Sequence, residues 1–374
     1  MRILHINCNY IRSDLHRLMI KQLDQLGYDN QVFVPCYDKK ESIVPEEHNV
    51  NIVECFNKWD RLFFDYKQHR ILQTIKRIYD IKSFDLIHAY TLFTDGNCAR
   101  KLSEEYGIPY VVAVRNTDVN DFFDKLVFLR NRGIKNLYNA STVFFLSSSY
   151  KKDVFDRFIP KAKKKVIDQK SYIIPNGIND FWQKNKSNEL VKTRMLHTPI
   201  RLLYVGCIDK NKNIEMTQNA MDILKERGIT TQLTVVGKVV DNSVYQRIIN
   251  HTATVYHQPC NKEQLQEIYY QNDIYVMPSI HESFGLVYAE ALSCGLPVVY
   301  SEGQGFDGQF EEGYVGYHVN SGSPFSVADG IQRIIEKYSS IVENTMQAAT
   351  QFSWVKICDK YSNIYDCFGE RENG

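Results

Sequence analysis

The stretch HESFGLVYAEALSCGLP (281–297) holds two carboxylates, Glu282 and Glu290, on either side of a predicted helix start. A helix start suits anions, because its first N–H groups lack partners and the dipole is positive there. Phe284, Gly285 and Leu286 would offer such N–H groups to a phosphate, and Gly285 lets a ligand approach the backbone. The carboxylates need another use. Glu282 could be a first-turn charge that favours the dipole, and Glu290 could be an exposed surface residue. Ala289, Ala291 and Leu292 around Glu290 weigh against exposure. Taken alone, Lys212, in the polar loop IDKNKN, reads as a surface lysine. No DxD, HExxH or Walker lysine occurs, which argues against an obligatory divalent metal. The single GxGxxG, GQGFDG (303–308), is followed by more glycines without helical period, so it reads as a flexible loop and not a dinucleotide fingerprint.

The elements around these residues alternate strand and helix. RILHINC (2–8), NQVFVPC (30–36), FDLIHAY (84–90), PYVVAVR (109–115), STVFFLS (141–147) and SYIIPNG (171–177) read as strands, with helices at 14–26 and 96–107. A polar break at 178–199 precedes a second series of strands: IRLLYVG (200–206), TQLTVVG (231–237), DIYVMPS (273–279) and PVVYS (297–301). Helices are expected at 213–228 and 261–271. Runs such as VVAV are apolar on both faces, the mark of parallel sheets covered by helices. The expected organisation is a domain over 1–178, a linker over 179–199, a second domain over 200–350 and a terminal helical segment over 351–374 packing back across the domains. Ligands of such sheets sit at the carboxyl ends of the strands.

The composition excludes several classes. Hydrophobic residues at 44% and charged residues at 24% describe a globular chain. Nine scattered cysteines without zinc spacing read as reduced thiols, and no apolar run approaches the roughly 18 residues of a membrane span. MRILHINCNY lacks a signal peptide's pattern, so a cytoplasmic protein is expected. Residues 1–178 hold 28 Lys/Arg against 21 Asp/Glu, and the remainder reverses the balance. The densest basic run, RFIPKAKKKVIDQK (157–170), is a solvated helix or loop, or a point of attraction to anionic headgroups or a phosphorylated acceptor.

The run DIYVMPSIHESFGLVYAEALSCGLPVV (273–299) resembles the signature of glycosyltransferase family 4, retaining enzymes of the GT-B fold. IIPNGI (173–178), LLYVGCIDKNKNI (202–214), VVGK (235–238) and YHQPCNKEQLQEIYYQND (256–273) extend the resemblance. LIHAYTLFTDG and VVAVRNTD match more loosely. It implies an α/β architecture of two Rossmann-like domains with parallel sheets facing each other across a cleft. It also implies transfer of a hexosyl unit from a nucleoside-diphosphate sugar, UDP favoured, to an acceptor hydroxyl. On that resemblance Glu290 binds the ribose hydroxyls, Glu282 lies near the sugar and its phosphate, the amides of Phe284, Gly285 and Leu286 hold the diphosphate, and Lys212 neutralises it. Gly206, Gly237 and Lys238 complete the donor side. Catalysis is assigned to Glu282, Lys212 and Arg115, and the acceptor side to Asn9 and Asp118. No cofactor or metal is implied beyond the UDP-sugar substrate. The implied partners are a carbohydrate or lipid-linked glycan acceptor and a membrane surface met peripherally by the basic first domain, with no nucleic acid. Bacterial surface polysaccharide or glycolipid synthesis would be the setting.

The sequence departs from the family pattern at three places. Cys207 stands where the donor loop usually has arginine, and it cannot hold phosphate as arginine would, leaving Lys210 or Lys238 to share that work. Arg115 stands where histidine is usual and cannot serve as a base. NCNYIRSD (7–14) lacks the expected glycine pair. A UDP-sugar 2-epimerase of the same architecture and a non-catalytic nucleotide-sugar-binding protein are the alternative readings.

Overall fold

The computed structural model describes residues 1–39, 47, 49–184 and 194–369, without the side chains of 61 and 62. Of the expected linker, 185–193 lie outside the described residues, as do 370–374 of the terminal segment.

The chain divides into two compact units. The first comprises 1–146, 151–177 and 354–374; the second comprises 147–150 and 178–353. In the first unit the strands are β1 (Arg2–Ile6), β2 (Asp29–Cys36), β3 (Val50–Glu54), β4 (Leu86–Ala89), β5 (Tyr110–Ala113), β6 (Thr142–Phe145) and β7 (Ser171–Ile173). They form one parallel sheet in the order β3-β2-β1-β4-β5-β6-β7. In the second, β8 (Ile200–Val205), β9 (Thr231–Val236), β10 (Thr254–His257), β11 (Ile274–Met277), β12 (Val298–Ser301) and β13 (Gly316–Val319) form a parallel sheet in the order β10-β9-β8-β11-β12-β13. The α/β expectation of two parallel sheets therefore holds. Every residue of β4, β5, β6, β11 and β12 is buried, as their unbroken apolar runs require.

In each sheet the strand order reverses once, between β1 and β4 and between β8 and β11. The chain leaves those neighbouring strands in opposite directions, which opens a crevice at their carboxyl ends. The loops after β1 and β4 thus meet in the first unit, and those after β8 and β11 in the second.

The terminal helix, Trp354–Gly369, belongs to the first unit and packs against the helix Leu15–Gln25. Trp354 is buried against Gly177, where an added Cβ would fall 2.4 Å from the indole. Tyr365 and His88 Nδ1 share a 2.6 Å hydrogen bond, and Tyr28 donates to Asp366 over 2.6 Å.

Candidate functional site

In the second unit the loop after β8 and the loop after β11 are laced together by asparagines. Asp209 caps the short turn Lys210–Lys212 by accepting from the Lys212 N–H at 3.1 Å. Asn211 then pairs with the other loop three times: its carbonyl accepts from Ile280 N–H (2.8 Å), its Oδ1 from His281 N–H (3.0 Å), and its Nδ2 donates to His281 O (2.9 Å). Asn213, with φ of +57°, donates to Pro278 O at 2.9 Å and Ser321 O at 2.8 Å. Asparagine tolerates this left-handed backbone better than most residues. The lacing brings Lys212 Nζ within 2.7 Å of Glu282 Oε2, with both side chains mostly buried.

Glu282 is held from behind. Its N–H donates to Gln304 Oε1 (2.8 Å) and its carbonyl accepts from Gly305 N–H (2.7 Å). A Cβ on Gly305 would lie 2.0 Å from Ser283 O, so this contact admits only glycine. The GQGFDG run is a loop of turns with no helix after it, and it braces the Glu282 loop.

Ahead of Glu282's loop lies the helix Leu286–Ser293, and no side-chain cap closes its first turn. Gly285 stands at its N-cap with φ of +76°, and an added Cβ would lie 2.5 Å from the ring of Tyr288. That ring is fixed, because Tyr288 is buried and donates to Met277 O at 2.6 Å. Gly285→Ala should therefore cost about 2 kcal/mol in stability, from left-handed strain and overpacking together. Urea unfolding would measure it, and a change under about 0.5 kcal/mol would show that the loop yields freely. Phe284 is buried, its ring edge-on to Phe352 at 5.4 Å. Leu286 is half-buried at the opening of the helix.

Glu290 lies deeper on the same helix. Burial pushes its carboxyl up to about 7, while Lys262, Trp182 and Tyr269 pull the other way. Trp182 is buried edge-on to Tyr269 at 5.5 Å, and the buried Tyr269 side chain faces the Glu290 carboxyl. Lys262 and Tyr269 lie in the run 256–273 that extends the resemblance, but none of the three neighbours was singled out from the sequence. Trp182 sits in the short helix Asp180–Lys184, inside a stretch that reads as polar linker. A lone tryptophan among polar residues was the available signal.

Gly206 and Gly237 follow β8 and β9, and a Cβ on Gly237 would meet Gly206 O at 1.8 Å. Their pairing lets the two strand ends touch. Cys207, Lys210 and Lys238 are exposed beside them.

In the first unit, Asp118 is a correction to the acceptor-side reading. Its carboxylate is buried and accepts from Arg115 N–H (2.8 Å), Leu92 N–H (3.0 Å) and Phe93 N–H (3.2 Å). It ties the loop after β4 to the loop after β5, and burial raises it to about 6 against those bonds. What this tie presents is Arg115, half-buried, whose Nε donates to Tyr90 O (3.3 Å) and Nη1 to Asn176 Oδ1 (3.1 Å). Asn9 is half-buried after β1, its N–H donating to Asn7 Oδ1 at 3.0 Å. Two further groups join this crevice unannounced by any motif. Asp95, fully buried and raised to about 7 by desolvation, accepts from Cys8 N–H at 3.3 Å. His16 packs edge-on to Tyr90 at 4.7 Å, with both ring nitrogens buried and unpartnered.

Among the described residues, one group could hold a metal ion: Asp307, Glu312 and His318, whose ligand atoms lie within 4.8 Å of one another. His318 Nδ1 stands 3.1 Å from Asp307 and 3.2 Å from Glu312. The group tethers the brace loop to β13. No helix among the described residues is long and apolar enough to cross a membrane.

Two family models match: Glycosyltransferase Family 4 over residues 17–180 and Glycosyl transferases group 1 over residues 185–351. An uncharacterized glycosyltransferase of Methanocaldococcus jannaschii is 25% identical over 370 residues, covering 91% of this chain and 90% of that protein. Sucrose-phosphate synthase from Thermosynechococcus elongatus superposes with a TM-score of 0.79 at 18% identity, over 99% of this chain and 100% of that one. Anabaena HepE in complex with UDP-glucose gives 0.67 at 17% identity, over 98% and 100%. Consecutive matches to both family models, over two parallel-sheet units, make the chain a member of glycosyltransferase family 4, a transferase of the GT-B fold.

Proposed function

We propose that the protein transfers a hexosyl unit from a UDP-sugar to an acceptor hydroxyl, with retention at the anomeric carbon. The observation that carries this reading is the Lys212–Glu282 pair beside the uncapped first turn of the helix that also bears Glu290. An uncapped first turn suits a diphosphate, a lysine suits its growing charge, and a carboxylate suits the hydroxyls that a phosphate lacks. The solved complex of HepE with UDP-glucose supports a nucleotide sugar as the ligand. In the reaction the bond from the anomeric carbon to the diphosphate oxygen breaks, and the acceptor oxygen bonds to that carbon from the same face. The leaving phosphate oxygen takes the acceptor's proton, so no protein base is needed and arginine at position 115 is no obstacle. Lys212 supplies cationic stabilisation, and no divalent ion is required. The acceptor is a carbohydrate or lipid-linked glycan, met at the cytoplasmic face of the cell membrane.

The test is a panel of UDP- and GDP-sugars with nucleotide release followed, with and without EDTA. Release from one UDP-sugar, indifferent to EDTA, is the expected result. Interconversion of the sugar without free UDP would overturn the reading in favour of an epimerase, and binding without turnover in favour of a sensor.

A further inference from the structure

Five large apolar side chains of the first unit stand out in solvent: Trp59 (76% exposed), Phe63 (67%), Tyr66 (55%), Val127 (55%) and Phe128 (77%). They come from two segments that pack together. Phe64 meets Phe122 edge-on at 6.0 Å, the Arg132 guanidinium lies 5.1 Å above the Phe64 ring, and Arg132 pairs with Asp65. Scattered apolar residues need no explanation, but five on two joined segments do.

The carboxylates next to them are paired with cations, Asp60 with Arg70, Asp65 with Arg132, Asp121 with Lys125 and Asp124 with Arg157, so none of these four stands as a bare negative charge beside the aromatics. Beyond Phe128 the helix Arg130–Asn139 packs on the helix Lys161–Asp168, whose sequence is KAKKKVID. Residues 1–178 carry a surplus of Lys/Arg. A second copy meeting it through the same face would bring the same positive charge, whereas an anionic lipid surface brings the opposite one. Trp and Tyr favour the headgroup level, and flanking cations reach the phosphates.

We infer that Trp59, Phe63, Tyr66, Val127 and Phe128 form a wedge that enters an anionic lipid surface, with the lysine-rich helix Lys161–Asp168 lying on the headgroups. This deepens the reading of a lipid-borne acceptor, and the experiment needs neither donor nor acceptor. The chain has three tryptophans, and Trp182 and Trp354 are buried, so Trp59 is its exposed reporter. With vesicles of phosphatidylglycerol and phosphatidylcholine, Trp59 emission should shift to the blue and be quenched by brominated acyl chains. Phosphatidylcholine alone should bind at least tenfold more weakly, and salt should weaken binding further. The double variant Phe63→Asp/Phe128→Asp should lose vesicle binding at least tenfold while its UDP affinity stays unchanged. Vesicle binding with no Trp59 shift, or undiminished in the double variant, would overturn the inference. So would a concentration-dependent dimer abolished by the same variant, which would give the wedge to a second copy. Loss of UDP binding in the parent protein would instead refute the donor reading and leave the wedge standing.

Discussion

Glu290→Gln should make the protein more stable at pH 8 and at the same time bind UDP less well. The sign follows from the raised carboxyl. In the unfolded chain a glutamate ionises near 4.5, and in the folded chain Glu290 does so at about 7. Below pH 4.5 both states are protonated and the group is neutral in the balance. Between 4.5 and 7 the unfolded chain ionises first, so stability falls as pH rises, and the loss is complete above 7. At 1.36 kcal/mol per pH unit the full loss is about 3 kcal/mol, an upper value because the side chain keeps some exposure. Glutamine carries no charge to desolvate and recovers most of it. On the proposed role the ionised carboxylate accepts from two ribose hydroxyls. UDP affinity of the parent should then rise with pH through about 7, and the variant should bind at least tenfold more weakly with no such rise. Urea unfolding at pH 5 and pH 8, with UDP titrations at both, reads all four quantities. A variant no more stable at pH 8 would refute the desolvated carboxylate, and one that binds UDP like the parent would refute the ribose role.

That carboxylate illustrates what the sequence could show. Alanine and leucine neighbours argued against exposure at position 290, and the helix buries Ala289, Ala291 and Leu292. The groups that face it, Trp182, Tyr269 and Lys262, come from other elements, and no spacing along the chain connects them. The fold divides in the same way. Strands buried on both faces announce themselves as apolar runs. Edge strands β3 and β10 went unread, because VNIVE and TVYH are only half-buried and carry mixed residues. The helix Phe64–Ile78 was also missed. Its inward turn holds Gln68, which interrupts the apolar stripe and is buried on Asn97 Nδ2 (2.9 Å) and Cys98 Sγ (3.1 Å). A buried amide looks like surface until its partners are known. Asp118 is the opposite case: resemblance alone placed it on the acceptor side, and three N–H groups take up its carboxylate.

Lys212→Ala should lower the rate of sugar transfer by about a hundred- to a thousandfold while changing the donor KM less than tenfold. The reason lies in what Glu282 does to the lysine before the reaction. The two are 2.7 Å apart and 70 residues apart in sequence, held by Asn211 and Asn213. In the free protein the ammonium is neutralised by a carboxylate, so the site pays no penalty for an isolated, largely buried charge. A bound diphosphate carries its charge spread over two phosphates, and the need for a nearby cation peaks when the sugar bond breaks. An interaction that strengthens at that moment raises kcat more than it lowers KM. Glu282→Gln removes the lysine's resting partner, so UDP should bind more tightly while transfer slows, because the lysine is then drawn to the phosphates in the ground state as well. The doubly substituted Lys212→Ala/Glu282→Gln protein should lose less than the sum of its single losses, since each single change strands the other charge. Steady-state rates with the UDP-sugar found by the panel would measure the three variants. A Lys212→Ala protein within threefold of the parent in kcat would remove the lysine from the reaction. Strict additivity would show that the 2.7 Å contact carries no functional coupling.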